Sequence, residues 1–183
     1  CYADQNNATT TCNFTGTGIK NDKTRGLISE ETYSLLGWNS NGVYANEIYE
    51  YERSTGKVYS GRETTWTGKI ALPYPSDYGY AADLGKCLNK QLSAYNDSTC
   101  TSNNWMKSMM TSSNWLLTPF SGDPVIVWNI RSTGYVYHYD NYPYVASGVT
   151  PVLYLGSELS IKTGTGSSSA PYQTVSYTHL RAH

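Results

Sequence analysis

Trp115–Leu155, WLLTPFSGDPVIVWNIRSTGYVYHYDNYPYVASGVTPVLYL, sets short apolar strands around a run of Tyr, Asn, Asp, Ser and His. Leu116-Leu117, Val125-Ile126-Val127 and Val152-Leu153-Tyr154-Leu155 have the β-branched and aromatic content of buried strands. Between them Tyr135, Tyr137, Tyr139, Tyr142 and Tyr144 recur mostly at odd positions, so a strand would gather several rings on one face. Tyrosine offers large contact area at low entropic cost, and Asn and Ser offer adaptable hydrogen bonds. The stretch therefore predicts a recognition surface rather than a reaction centre.

Working outward, the 183 residues suit one domain with a real hydrophobic core. A net charge of −1 with 15% charged residues gives no electrostatic case for nucleic acid or an anionic membrane. No transmembrane run is present in the sequence, so no membrane insertion is expected. There are 18 Tyr against 2 Phe. A core needs aromatic area but not phenolic hydroxyls, so many of these rings are expected half exposed with the hydroxyl in water.

Four cysteines fall into two local pairs, Cys1/Cys12 and Cys87/Cys100, each enclosing a short polar loop. Local disulfides are the simplest of the three possible pairings and imply an exported chain, extracellular or displayed on a cell surface. Zinc is the rival, but neither pair has CxxC spacing, and His138, His179 and His183 lie far along the chain. A lipid-modified Cys1 would leave Cys12 without its neighbour. Sequons at Asn7, Asn13 and Asn96 matter only in a secretory route that glycosylates them.

Local signals place further elements. Ser29-Glu30-Glu31 puts acids in the first turn of a short helix that Gly37 closes. Ala45–Arg53 predicts a helix with Ile48 and Tyr51 on one face, and Ser60-Gly61 a turn. Trp66–Tyr80 predicts a strand ended by Pro73 and Pro75, with Ile70, Ala71 and Leu72 inside and Ser76 capping the next element. Lys86–Tyr95 and Trp105–Met110 predict short helices, the second with Met106, Met109 and Met110 as core filler. Ile161–Pro171, rich in Gly, Ser and Thr, predicts a turn or linker.

Catalytic chemistry is not evident. His138 has no strained nucleophile turn before any Ser, and Asp77, Asp83, Asp123 and Asp140 suggest no carboxylate pair. Asp123 before Pro124 predicts a turn. No phosphate-cradling glycine loop or calcium-ligand spacing is found, so no catalytic residue, metal or cofactor is expected.

Two stretches carry a resemblance. KIALPYPSDYGYAA, ending at Ala82, is similar to the strand–Pro–hydroxyl–acid–aromatic–Ala signature of formylglycine-generating-enzyme-like and C-type-lectin-like domains. WLLTPF through GVTPVLYL resembles the C-terminal sheet of that superfamily. With CNFTGTGI, YERSTGKVYSGR and the Cys87–Cys100 loop followed by NNW, the chain resembles uncharacterised extracellular repeat-bearing proteins of gut bacteria. Thr150 stands where that family usually has Arg. Typical members carry more sequence before the position of Cys1, so the chain is expected to be an N-terminally truncated fragment. The resemblance implies an α+β, C-type-lectin-like domain over residues 1–163, then a Gly/Ser-rich turn or linker at 164–175. The last eight residues, SYTHLRAH (176–183), resemble a translated sequencing adapter and are set aside, with His179 and His183.

Tyr135–Ser147 also has the Tyr, Asn, Ser and Asp composition of the variable segment in retroelement-diversified C-type-lectin-like proteins. Only Trp128-Asn129-Ile130 stands where calcium-dependent lectins have Trp-Asn-Asp, so calcium-dependent sugar binding is not implied. Formylglycine-generating oxidase activity is not implied either, because both later cysteines precede Trp105. The expectation is an adhesin- or lectin-like module whose ligand-binding face comprises Trp128, Tyr135, Tyr137, His138, Tyr139, Asp140, Asn141, Tyr142 and Tyr144. Its partner is an unidentified glycan or protein. The alternative is a structural stalk or repeat module without a dedicated ligand, and an enzyme comes last.

Overall fold

The computed structural model describes residues 25–138, 142, 145–167 and 169–176. The expected Cys1–Cys12 bridge, two of the sequons and the tail from residue 177 lie outside them.

Short helices and small antiparallel sheets alternate along the chain. Strand β1 (Glu31–Ser34) pairs with β2 (Thr65–Gly68), and β3 (Ile70–Ala71) pairs with β7 (Val152–Leu153). Strands β4 (Asn114–Pro119), β5 (Val127–Ile130) and β6 (Val136–Tyr137) form an antiparallel sheet in that order. Helix α1 (Ala45–Glu50) runs into a π-type turn over Tyr51–Thr55. Between β3 and β4 lie α2 (Pro75–Tyr80), α3 (Leu84–Cys87), a 3-10 turn (Leu92–Ala94), α4 (Ser98–Thr101) and α5 (Trp105–Ser108).

The main core lies between these helices and the three-stranded sheet. Ile48, Tyr78, Leu92 and Tyr95 pack against Leu116, Trp128, Ile130 and Val136, all fully buried. A second cluster joins Tyr33 and Leu35 to Ala71, Tyr74 and Leu117. Leu116 and Leu117 thus point into different clusters, as successive strand residues must. Among the described tyrosines, Tyr33, Tyr74, Tyr78 and Tyr95 are buried and the others half exposed or exposed. The buried hydroxyls of Tyr74 and Tyr78 donate to the carbonyls of Ser34 (2.8 Å) and Gly134 (2.7 Å). Gly134, at φ +103°, makes the β5–β6 turn that offers this carbonyl.

Several local expectations hold. The helix from Ala45, the Ser60-Gly61 turn and the Trp105 helix form, while the Trp66 strand divides at Lys69 into β2 and β3, which pair in different sheets and leave Ile70 and Leu72 half-buried. Asp123 Oδ1 accepts from Val125 N–H at 2.9 Å, the turn predicted before Pro124. Met106 and Met110 are buried, while Met109 is 56% exposed.

Others are corrected. Ser29–Leu36 is not a helix: Thr32-Tyr33-Ser34 favours an extended chain, and β2 supplies its ladder. Gly37 closes no helix. A Cβ there would overlap the Pro119 carbonyl oxygen, so the glycine permits close approach of two backbones. Ser76 does not cap α2. The Asp77 carboxylate accepts from Tyr74 N–H (2.9 Å), and Ser76 turns inward to Glu52. Lys86–Tyr95 breaks into α3 and the 3-10 turn. Leu92 N–H donates to Val43 and Tyr95 Oη–H to Cys87, which fold the chain back. The closing strand Val152–Leu155 is not buried: Leu153, Tyr154 and Leu155 are exposed. The Gly/Ser stretch connects β8 (Leu159–Thr163) to β9 (Gln173–Ser176) in an antiparallel hairpin.

Cys87 and Cys100, both fully buried, are disulfide-bonded with Cα atoms 5.8 Å apart. The bridge ties α3 to α4 in a region with little regular backbone pairing. Replacing both cysteines by Ala is expected to lower unfolding free energy by about 3 kcal/mol, by the loop-entropy relation. Urea denaturation with and without reductant checks this: reductant should destabilise the wild type by about that much more than the variant.

Candidate ligand-binding face

The three-stranded sheet presents two different faces. Cross-strand registers place Trp115 opposite Asn129 and Asn129 opposite Tyr137, so these side chains share the face away from Trp128, Ile130 and Val136. Arg131 and Tyr135 extend the row, with Arg131 N–H donating to the Tyr135 carbonyl at 2.8 Å. The Tyr135 and Tyr137 rings meet edge to face at 5.7 Å, and the Arg131 guanidinium lies 5.7 Å from the Tyr137 ring centre. Trp115, Tyr135, Tyr137 and Arg131 are each half-buried. Partial burial holds such side chains while leaving area for contact, so binding carries a smaller ordering cost.

A loop closes one end of this face. Gly148 N–H donates to the Ser113 carbonyl at 2.7 Å, and Trp115 N–H donates to the Gly148 carbonyl at 3.0 Å. Asn129, 1% exposed, donates through Nδ2 to Ser147 Oγ at 3.3 Å, while its Oδ1 has no hydrogen-bond partner. An open groove runs beside Ser147, lined by Thr111, Ser112, Ser113, Ser132 and Gly148.

Of the residues expected on the face, Tyr135 and Tyr137 are together, and Tyr142 is half-buried. Tyr139, Asp140, Asn141 and Tyr144 lie outside the described residues. Trp128 and His138 are corrected. Trp128 is fully buried, and His138, 7% exposed, stacks on Phe120 at 3.9 Å and meets the Trp128 indole edge-on at 5.0 Å. Burial pulls the His138 pKa down to about 4, so its ring is a neutral packing element at neutral pH. Both residues fall on the core side of the pleat.

Trp115, Asn129, Arg131 and the hydroxyl groove were not foreseen. Odd-numbered alternation through Asn129, Arg131, Tyr135 and Tyr137 was the available signal, since the turn at Ser132–Gly134 preserves parity between the strands. Three of the four aspartates named in the sequence have local hydrogen-bond partners, and Asp140 lies outside the described residues. Asp77 and Asp123 accept from backbone N–H groups of their own turns, and Asp83 accepts from Gly85 N–H at 3.0 Å. Among the described residues no group of three His, Cys, Asp or Glu is placed to hold a metal ion. No helix there is long and apolar enough to cross a membrane.

No family model, curated protein or solved structure matches this chain.

Proposed function

We propose that this chain is an extracellular ligand-binding module of C-type-lectin-like fold, acting through the face that carries Trp115, Arg131, Tyr135 and Tyr137, without calcium-dependent sugar chemistry. The observation that carries this reading is the row of half-buried aromatic side chains on a sheet whose opposite face is fully packed. Such a row is rigid before the ligand arrives, so binding need not order it. The buried disulfide supports an oxidising compartment. The lectin-like fold is supported by the helices between β3 and β4 and by the closing segment returning beside the earliest described residues. There Ser29 N–H donates to Tyr154 O at 3.0 Å and Gly156 N–H to Leu27 O at 2.9 Å.

The test is a glycan and host-protein array probed with wild type and a Tyr135→Ala/Tyr137→Ala variant. Bound signals should fall about a hundredfold, the range of two aromatic anchors, with little change in melting temperature. Signals indifferent to both changes would favour a structural module with no dedicated ligand.

A further inference from the structure

We infer that the groove bounded by Thr111–Ser113, Ser132 and Ser147–Gly148 is a subsite for an uncharged, hydroxyl-rich ligand, of the kind a neutral glycan presents. This rests on the ligand-binding reading of the adjoining face and names the ligand class for it. The lining contains five hydroxyl side chains and no charged residue. Each hydroxyl both donates and accepts, which matches groups that do the same. A carboxylate, phosphate or ammonium would find no counter-charge in this lining.

The groove is held in shape before any ligand enters. Asn114, 4% exposed, donates through Nδ2 to the Ser112 carbonyl at 2.8 Å and accepts from Thr150 Oγ1 at 2.9 Å. One buried amide thereby fixes one wall of the groove and the chain just beyond the other. Ser113 Oγ accepts from Ser132 N–H at 3.1 Å, which joins the third segment. The second observation is behind the Ser147 wall. Asn129 is buried with its Oδ1 unpartnered, and its Nδ2 reaches Ser147 Oγ. A native fold seldom leaves such an acceptor unsatisfied without a role. The contact between the Asn129 amide and Ser147 Oγ fixes that hydroxyl at the wall of the groove. A protein partner would want a desolvated apolar centre, and no large apolar side chain lines the groove.

The experiment is backbone-amide NMR of the full chain titrated with methyl α-mannoside, methyl β-galactoside and N-acetylglucosamine at millimolar concentration, in EDTA. At least one sugar should shift the amides of residues 111–113, 132 and 146–148 together. Its affinity should be unchanged by salt and weakened about tenfold in Ser132→Ala/Ser147→Ala. An unchanged amide spectrum away from the two sites shows that this variant folds. No shifts with any of the three in EDTA, or shifts elsewhere, overturns the inference. If protein ligands still depend on Tyr135 and Tyr137 in that case, the face reading survives. If they do not, both fall.

Discussion

Replacing Glu52 by Gln is expected to remove a loss of stability that the wild-type chain suffers as pH rises from about 4.5 to about 8. Glu52 is fully buried where the π-type turn, α2 and β4 meet. Its Oε1 accepts from Ser76 N–H (3.2 Å) and Thr118 Oγ1 (3.3 Å), and its Oε2 lies in hydrogen-bond contact with Ser76 Oγ and Arg53 Nη1 (3.0 Å). Burial pushes the carboxyl up to about 8, against the pull of Ser76 and Arg53, with Asp77 adding to the rise. In the folded chain the group keeps its proton to about 8, and in the unfolded chain only to about 4.5. Between those values unfolding releases a proton, so stability is fully present below the lower one and declines towards the upper one. The decline approaches about 1.4 kcal/mol per pH unit. Urea unfolding of wild type and Glu52→Gln across this range checks it: a difference that does not change with pH refutes the linkage. Glu52→Ala should be less stable than Glu52→Gln at every pH, by about 1–3 kcal/mol for each buried donor of Ser76 and Thr118 that it leaves unpaired.

The Glu52 network also shows where sequence reading reaches its limit. Its partners stand 24 and 66 residues away, and no local pattern marks a glutamate in a helical stretch as buried. Arg53 completes the concealment by stacking over Tyr49 at 4.0 Å and Tyr74 at 4.6 Å, three aromatic or charged residues that all look like surface. By contrast, the Asp123-Pro124 turn, the end of the strand before Pro73 and the Cys87–Cys100 loop were legible, because backbone chemistry within a few residues decides them. The β1 error has the same root. Glu30-Glu31 suits a helix start, and only pairing with β2 more than thirty residues on makes the segment a strand. The candidate face was half legible. Alternation identified Tyr135 and Tyr137, but all four residues of β5 are buried, so burial does not separate its two sides. Register against β4 and β6 does, and it moves Trp128 inward and Asn129 to the face.

Trp128→Ala is therefore expected to act on folding rather than on recognition. The indole is fully buried, lies edge-on to Phe120 at 6.4 Å and His138 at 5.0 Å, and belongs to the cluster with Leu116 and Ile130. Removing it leaves a cavity in the layer that supports the binding face, at a cost of about 3–5 kcal/mol. That is a large share of the stability of a domain this size. Trp128→Phe should cost much less, since it keeps most of the volume and deletes an indole N–H that has no hydrogen-bond partner in the core. The two variants separate the roles. Denaturant unfolding should rank wild type and Trp128→Phe well above Trp128→Ala, while Trp128→Phe retains full ligand signal. If Trp128→Phe instead abolished binding at unchanged stability, the indole would reach the ligand, and the division of the sheet into a packed side and a binding side would be wrong. Tyr137→Ala should give the reverse pattern, lost signal with a small stability change, because Tyr137 is only half-buried and lies on the other side of the same sheet.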